Sequence, residues 1–232
     1  MNVVVGGFAL SELPSADNAD RFTIVGLDEE ELARELAAGA DEVVLVTPSP
    51  ARARECQEMA FALYERSPGA TVTVVHPHAT PTVTDLLRWC RTARIFRDRR
   101  RAEVILPLAA GGVSPAHTRQ VIAEYISASL DEPTVASATL AMSELVSNAL
   151  QHAGDGIVEL QLFDHGVHLD VLDRAPHRWP IWATNPDPLA DAGRGLAIVA
   201  AVTTVWGVSA NADAKSVWCE LHDVAAVAVA AS

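Results

Sequence analysis

The sequence contains few cysteines and few basic residues, and each scarcity excludes a class of protein. Cys56, Cys90 and Cys219 are the only cysteines, and they form no Cys-x-x-Cys pair. An odd number of scattered thiols is typical of a reducing compartment, so we expect a cytoplasmic protein. Lys and Arg total 17 against 30 Asp and Glu, which gives a formal net charge of −13. Because nucleic-acid binding depends on Lys and Arg contacts to phosphates, this charge favours proteins or small molecules as partners.

Long hydrophobic segments are scarce as well. Residues 1–10 contain no basic residue and only a short apolar run before Glu12, so no signal peptide is predicted. Residues 195–212 are uncharged and long enough for a membrane-spanning helix. Their second half, residues 202–209, is β-branched and interrupted by glycine, which predicts a helix that runs into a buried strand. We therefore expect no membrane association.

Strand-like and helix-like segments alternate through the first hundred residues. Half of the 232 residues (50%) are hydrophobic, which is ample for buried cores. The alternation predicts an α/β sheet domain over residues 1–100. A basic run at 97–101 indicates a boundary, and residues 101–232 form the second predicted α/β domain. The predicted strands of the first domain are 3–8, 22–25, 43–46 and 72–75, and its predicted helices are 29–38, 51–64 and 83–96.

The first hundred residues offer little for chemistry. Gly6 and Gly7 follow a strand but lack the further glycine of a dinucleotide-binding loop, so a turn is favoured over a cofactor site. His76 and His78 have no acid or cysteine partner at metal-ligand spacing, which favours surface histidines over a metal site. No catalytic site is predicted in this domain.

Glu144 and Asn148 form the clearest chemical pattern in the chain. They lie in a long helical pattern whose start is marked by Pro133. Residues four apart share one helix face, one turn from each other, and such a face can hold a cation and a water. Taken alone, a solvated polar face on an amphipathic helix is the simpler interpretation.

Two weaker patterns follow this helix. Two predicted strands, 157–163 and 167–172, end at Asp173, whose carboxylate can accept a hydrogen bond from an exocyclic amine. An Asp that forms a turn or caps a helix explains the local sequence equally well. Gly193 and Gly195 open the next predicted helix, where free backbone amides and the helix dipole favour a phosphate group.

Order and spacing are more specific than any of these patterns alone. With Lys215-Ser-Val-Trp218 on a last predicted strand, the motifs resemble the N box and the two glycine-containing boxes of the GHKL ATPases. Within that superfamily they look like the actinobacterial anti-sigma-factor kinases. The resemblance covers about residues 102–222 and implies a C-terminal Bergerat-type α/β sandwich that binds ATP and Mg²⁺.

The resemblance also implies roles for individual residues. Glu144 would be the catalytic residue that polarises the attacking group, and Asn148 would ligate magnesium. Asp173 would read the adenine amino group, and Ser216 would assist adenine binding. The phosphates would be bordered by Gly193, Arg194 and Gly195.

The sequence departs from this family pattern at three positions. The first glycine box is replaced by Asp173-Arg-Ala-Pro176, which has no glycine. Ala214 stands where the last motif usually has glycine, and Ser216 replaces the commoner threonine. No phosphoacceptor-histidine helix precedes the ATPase-like region, which disfavours a sensor histidine kinase.

The N-terminal part has a resemblance of its own. Residues 40–46, 71–77 and 84–96 look like two strands and the last helix of a STAS domain, the anti-anti-sigma module. The Asp-Ser-x-Gly segment of that family is absent, and Thr47-Pro-Ser-Pro50 stands near its place. Such a domain would be regulatory or would serve in docking.

The combined resemblances predict a regulator of transcription. The expected function is an anti-sigma-type serine/threonine kinase that phosphorylates a STAS-domain antagonist and sequesters a sigma factor. The alternative is a non-catalytic interaction module in which the nucleotide only shapes a partner surface. Both a monomer and a homodimer are compatible with the sequence.

Overall fold

The structure is a computed structural model. It describes residues 3–6, 22–25, 28–47, 49–67, 69–78, 104–108, 114–163, 165–180 and 194–222. The predicted helix 83–96, the basic run 97–101 and the site residue Gly193 lie outside these ranges.

Strands and helices are mixed throughout the described residues, which confirms the predicted α/β class. The strands are β1 (Val3–Gly6), β2 (Phe22–Val25), β3 (Glu42–Val46), β4 (Thr71–Pro77), β5 (Val104–Leu108), β6 (Gly156–Phe163), β7 (Gly166–Asp173), β8 (Val205–Ala210) and β9 (Lys215–His222). The helices are α1 (Glu29–Ala37), α2 (Ala53–Arg66), α3 (Pro115–Ile126), α4 (Glu132–His152) and α5 (Arg194–Val202).

All nine of these strands belong to one sheet, in the order β2-β1-β3-β4-β8-β9-β7-β6-β5. The first four are parallel to one another, and helices α1 and α2 form the crossovers from β2 to β3 and from β3 to β4. The remaining strands pair antiparallel. The sheet therefore changes from parallel to antiparallel where the two predicted domains meet.

The meeting point is the antiparallel pair of β4 and β8, which extends from Val72 opposite Ala210 to Pro77 opposite Val205. Side chains reinforce this pairing, since Thr73 Oγ1 donates to Ser209 Oγ at 3.0 Å. A domain boundary near residue 100 stays a prediction, because residues 79–103 are not among those described. The strands on either side of that gap nevertheless share one sheet.

His76 contributes to the same junction and differs from its expected surface position. Its ring is 4% exposed and stacks on Trp206 with the ring centroids 4.4 Å apart. Its Nδ1 lies 2.8 Å from the Thr47 hydroxyl. Burial lowers the pKa of His76 to about 3. The prediction of a surface histidine was wrong because a central strand of a large sheet is covered on both faces.

Helix α4 is set by local sequence signals and anchors the C-terminal half. Asp131 caps it by accepting a hydrogen bond from the Thr134 amide at 2.8 Å, and Pro133 occupies the first turn. Its apolar stripe, which includes Met142 and Leu145, is buried in the main core. The helix packs against α3, α5 and strands β6, β7 and β9, so its polar face is held in a fixed position above the sheet.

Strand β7 is buried on both faces, although its alternation of apolar and polar residues is typical of a strand with one face in solvent. Each of its eight residues is buried, including His168 and Asp170.

No helix among the described residues is long and apolar enough to cross a membrane.

Candidate functional site

A cavity of about 200 Å³ lies between α4, α5, β7, β9 and the segment 178–180. Apolar side chains form much of its wall: Leu145, Ala149, Val171, Leu196 and Val217. Polar groups converge on it from Asn148, Asp173, Arg178, Trp179 and Lys215. An apolar cavity with a few convergent polar groups is the usual form of a small-molecule site.

The N-terminus of α5 approaches the polar face of α4 at Gly195. A Cβ atom built on Gly195 would lie 3.0 Å from Glu144 Oε2, 3.4 Å from Asn148 Nδ2 and 3.5 Å from Asn148 Oδ1. The absence of a side chain at position 195 therefore allows this close approach. Arg194, the first residue of α5, is exposed. The structure thus brings Glu144, Asn148 and Gly195 together.

Asp173 lies at the end of β7, directly opposite Lys215 at the start of β9. The two side chains form an ion pair in which Lys215 Nζ donates to Asp173 Oδ2, and each is 3% exposed. The other carboxylate oxygen, Oδ1, accepts a hydrogen bond from the Ala175 amide at 2.9 Å. Burial lowers the pKa of Lys215, and the attraction of Asp173 offsets part of that effect.

Ser216 lies on the other face of the sheet from the cavity. Its hydroxyl donates to Asp170 Oδ1, whereas its neighbours Lys215 and Val217 line the cavity. Sequence reasoning selected Ser216 because serine resembles the threonine of the family motif, and it missed Lys215. Strand alternation was the signal that could have found it, because Val217 and Lys215 must share the face that packs towards α4.

A buried polar chain continues from Ser216 on that second face. His168 lies between two carboxylates, with Nε2 at 4.0 Å from Asp170 Oδ2 and Nδ1 at 3.6 Å from Glu220 Oε1. Burial alone would lower the pKa of His168, but Asp170 and Glu220 together raise it to about 9. The histidine is therefore a buried cation at neutral pH. This charge offsets the negative charges of the two buried carboxylates.

Trp179 connects the cavity to the N-terminal half of the chain. Phe61 and Tyr64 of α2 contact its ring, with centroid distances of 6.2 and 6.1 Å. The Tyr64 hydroxyl lies 3.3 Å from His177 Nδ1, in the same segment as Trp179. Trp179 Nε1 is buried and has no hydrogen-bond partner among the described residues. One wall of the cavity is thus positioned by a helix from the first hundred residues.

Arg178 connects the same segment to the end of α4. Its Nη1 donates to the carbonyl oxygen of His152 at 2.7 Å, which satisfies one of the free carbonyls at the end of α4. The segment 178–180 is therefore tied to α4 as well as to α2.

A preassembled cage for a metal ion is not found in the part of the chain that the structure describes. No group of three or more His, Cys, Asp or Glu side chains converges there. Magnesium, however, is commonly held by one or two protein oxygens together with the phosphates of a nucleotide. The amide oxygen of Asn148 beside Gly195 is compatible with that second kind of site.

A comparison with known protein families found a match in this half of the chain. Residues 113–219 match the family model of the histidine kinase-like ATPase domain, a range that contains Glu144, Asn148, Asp173, Gly195 and Lys215. The match confirms the GHKL-type resemblance of the C-terminal half.

Among solved structures, the chain is similar to the crystal structure of the RsbU and RsbW domains of Rv1364c from Mycobacterium tuberculosis. The identity is 22%, the TM-score is 0.38, and the match covers 51% of this chain and 32% of that chain. The chain thus matches about a third of that protein's length. No curated protein matches it.

Proposed function

We propose that the chain binds ATP with magnesium in the cavity beneath α4 and acts as a regulatory serine/threonine kinase of the anti-sigma type. The observation that supports this most strongly is the meeting of Glu144 and Asn148 with Gly195 at a cavity that Asp173 also lines. The match of residues 113–219 to a histidine kinase-like ATPase domain supports the same nucleotide class.

The chemistry of the cavity fits the parts of a nucleotide. Its volume of about 200 Å³ suits one flat, largely apolar group such as a base. Asp173 would accept from the exocyclic amine of that base. Arg194 and Gly195 would border the phosphates, since the first turn of a helix presents free amides and a positive dipole end. Gly193, which precedes them in sequence, belongs to the same proposed border.

ATP would supply the phosphoryl group, and magnesium would neutralise the charge that develops during its transfer. Asn148 would hold the metal against the phosphates. Glu144 would accept the proton of the attacking hydroxyl, because its carboxylate is one helical turn from Asn148 and faces the same gap. Leu145 and Ala149 would keep water out of the base end of the cavity.

The partners are part of the proposal as well. A STAS-domain anti-anti-sigma protein would be the phosphoacceptor, and a sigma factor would be the sequestered target, in the cytoplasm. Residues 1–100 would serve in regulation or docking. Their contact with the cavity wall through Phe61 and Tyr64 supports a regulatory role.

The test combines an ATP titration with a phosphorylation time course on candidate STAS proteins. Asn148→Ala should weaken magnesium-dependent ATP binding itself. Glu144→Ala should leave ATP binding nearly intact and slow phosphoryl transfer by about 10²–10⁴-fold. Ser147→Ala, an exposed residue of the same helix, is the matched control and should change neither quantity.

Two outcomes would contradict the kinase assignment. Transfer that survives unchanged in Glu144→Ala would remove that residue from catalysis. ATP binding without transfer to any of a full panel of STAS proteins would favour the alternative function, a nucleotide-dependent interaction module.

A further inference from the structure

We propose that Lys215 is a base-recognising residue, and that Lys215 with Asp173 allows the cavity to bind a 6-oxopurine as well as a 6-aminopurine nucleotide. This inference rests on the proposed nucleotide-binding function and specifies the ligand class of the same site.

The first supporting observation is the position of the two side chains. Lys215 and Asp173 are register partners on adjacent strands, both line the cavity, and both are 3% exposed. Their side chains contact each other. The cavity therefore presents a hydrogen-bond donor and a hydrogen-bond acceptor side by side.

The second observation is the unused hydrogen-bonding capacity of this pair. An ammonium has three N–H donors, and Lys215 Nζ directs one of them to Asp173. A carboxylate can accept about four hydrogen bonds, and Asp173 accepts from Lys215 and from the Ala175 amide. Unsatisfied N–H groups of a buried cation are costly. A ligand atom that accepts from Lys215 would therefore be favoured in this cavity.

The third observation comes from the sequence. Lys215 is the only lysine in the chain, so the other 16 of its 17 basic residues are arginine. A guanidinium carries five N–H donors in a rigid plane, whereas an ammonium is a compact charge. The cation that contacts Asp173 at this buried position is therefore of the compact kind.

The chemistry of purines then decides what the pair can bind. A 6-aminopurine presents a donor at its amine and an acceptor at ring N1, which match Asp173 and Lys215. A 6-oxopurine presents an acceptor at O6 and a donor at N1–H, which match Lys215 and Asp173, so Lys215 still donates and Asp173 still accepts but each contacts the other purine position. A carboxylate alone would repel O6, because both are acceptors. Lys215 is therefore the residue that would admit the 6-oxopurine.

The experiment measures binding of ATP and inosine triphosphate to the full chain by calorimetry, in the presence of magnesium. We expect the wild type to bind inosine triphosphate within about tenfold of ATP. Lys215→Met should weaken inosine triphosphate binding by about 10- to 100-fold more than ATP binding, because O6 would be left beside the Asp173 carboxylate with no donor, whereas the amine of ATP can still donate to Asp173. Arg174→Met removes a neighbouring exposed cation and should leave both affinities unchanged.

A second measurement needs no variant. Labelling with ¹⁵N-lysine gives one side-chain ammonium signal, because the chain has a single lysine. Saturating ATP and saturating inosine triphosphate should each shift that signal, and the two shifts should differ.

The failure of this inference is distinct from that of the proposed function. A wild type that binds ATP but not inosine triphosphate would overturn the inference alone. Equal weakening of both nucleotides by Lys215→Met, or an ammonium signal that does not move at saturation, would also overturn it and leave Lys215 as a structural partner of Asp173. A wild type that binds neither nucleotide would overturn the proposed function itself.

Discussion

Replacement of Phe61 by leucine should weaken ATP binding, although Phe61 lies in the first hundred residues and does not line the cavity. The Phe61 ring meets the Trp179 ring edge to face, with an interplanar angle of 70° and a centroid distance of 6.2 Å. Leucine keeps most of the apolar volume and removes the aromatic contact. Trp179, which lines the cavity, would then be held less firmly in place.

The size of the effect follows from the contact that is lost. Aromatic pairs of this geometry are worth about 0.5–1.5 kcal/mol beyond the area that they bury. If that energy is needed to order Trp179 for binding, the dissociation constant for ATP should rise by roughly 2- to 13-fold. Tyr64→Phe, which removes the 3.3 Å contact to His177, should act in the same direction and within the same range.

Calorimetry with the folded full chain is the assay, and Leu63→Ala is the matched control. Leu63 lies on the same helix, is fully buried, and belongs to the main core. Its truncation should cost about 2–5 kcal/mol of stability without a change in ATP affinity. Unchanged affinity in Phe61→Leu, or an equal loss in Leu63→Ala, would show that α2 supports the fold and does not position the site.

Three further perturbations test other parts of the structure. Gly195→Ala places a Cβ 3.0 Å from Glu144 Oε2, so phosphoryl transfer should slow several-fold more than ATP binding weakens; equal effects on both would contradict the close approach. Trp206→Ala, in the junction of β4 and β8, should cost about 3–5 kcal/mol and shift a single urea transition of the whole chain, whereas two separate transitions would mean that the halves unfold independently. The pKa of His168 is raised to about 9, above its ordinary 6.5, so its stabilising contribution is complete below pH 6.5 and is lost as the pH rises through 9. His168→Gln should therefore flatten the fall in unfolding free energy between pH 7 and pH 10, and an unaltered slope would exclude this role.

The features that sequence could predict are those encoded over short distances. The start of α4 is marked by Asp131 and Pro133, and the spacing of Glu144 and Asn148 places both on one face of that helix. Hydrophobic alternation located strands β6 and β7 within one or two residues. In each case the residues that carry the pattern belong to the same helix or strand whose structure they predict.

The features that sequence could not predict depend on contacts between distant segments. No local pattern in residues 71–77 reports that β4 pairs with β8, whose residues lie 128 to 138 positions later in the chain than their partners. The burial of His76 and the contact of Phe61 with Trp179 follow from that pairing and from the packing of α2. The position of Lys215 is intermediate, because alternation in β9 encodes its face but only the register with β7 brings it to Asp173.

The shared sheet and the Trp179 contacts together set a limit on how strongly the N-terminal half can influence the site. Phe61 and Tyr64 each contribute about 0.5–1.5 kcal/mol through their contacts with the segment that contains Trp179. A signal that displaced α2 completely could therefore remove about 1–3 kcal/mol of positioning energy, which is the usual range of coupling between two sites and corresponds to about 5- to 150-fold in affinity. A change from almost empty to almost full occupancy needs about 10⁴-fold. The described contacts thus suit a graded adjustment of nucleotide affinity, and a complete on–off switch would need contacts in addition to those of α2.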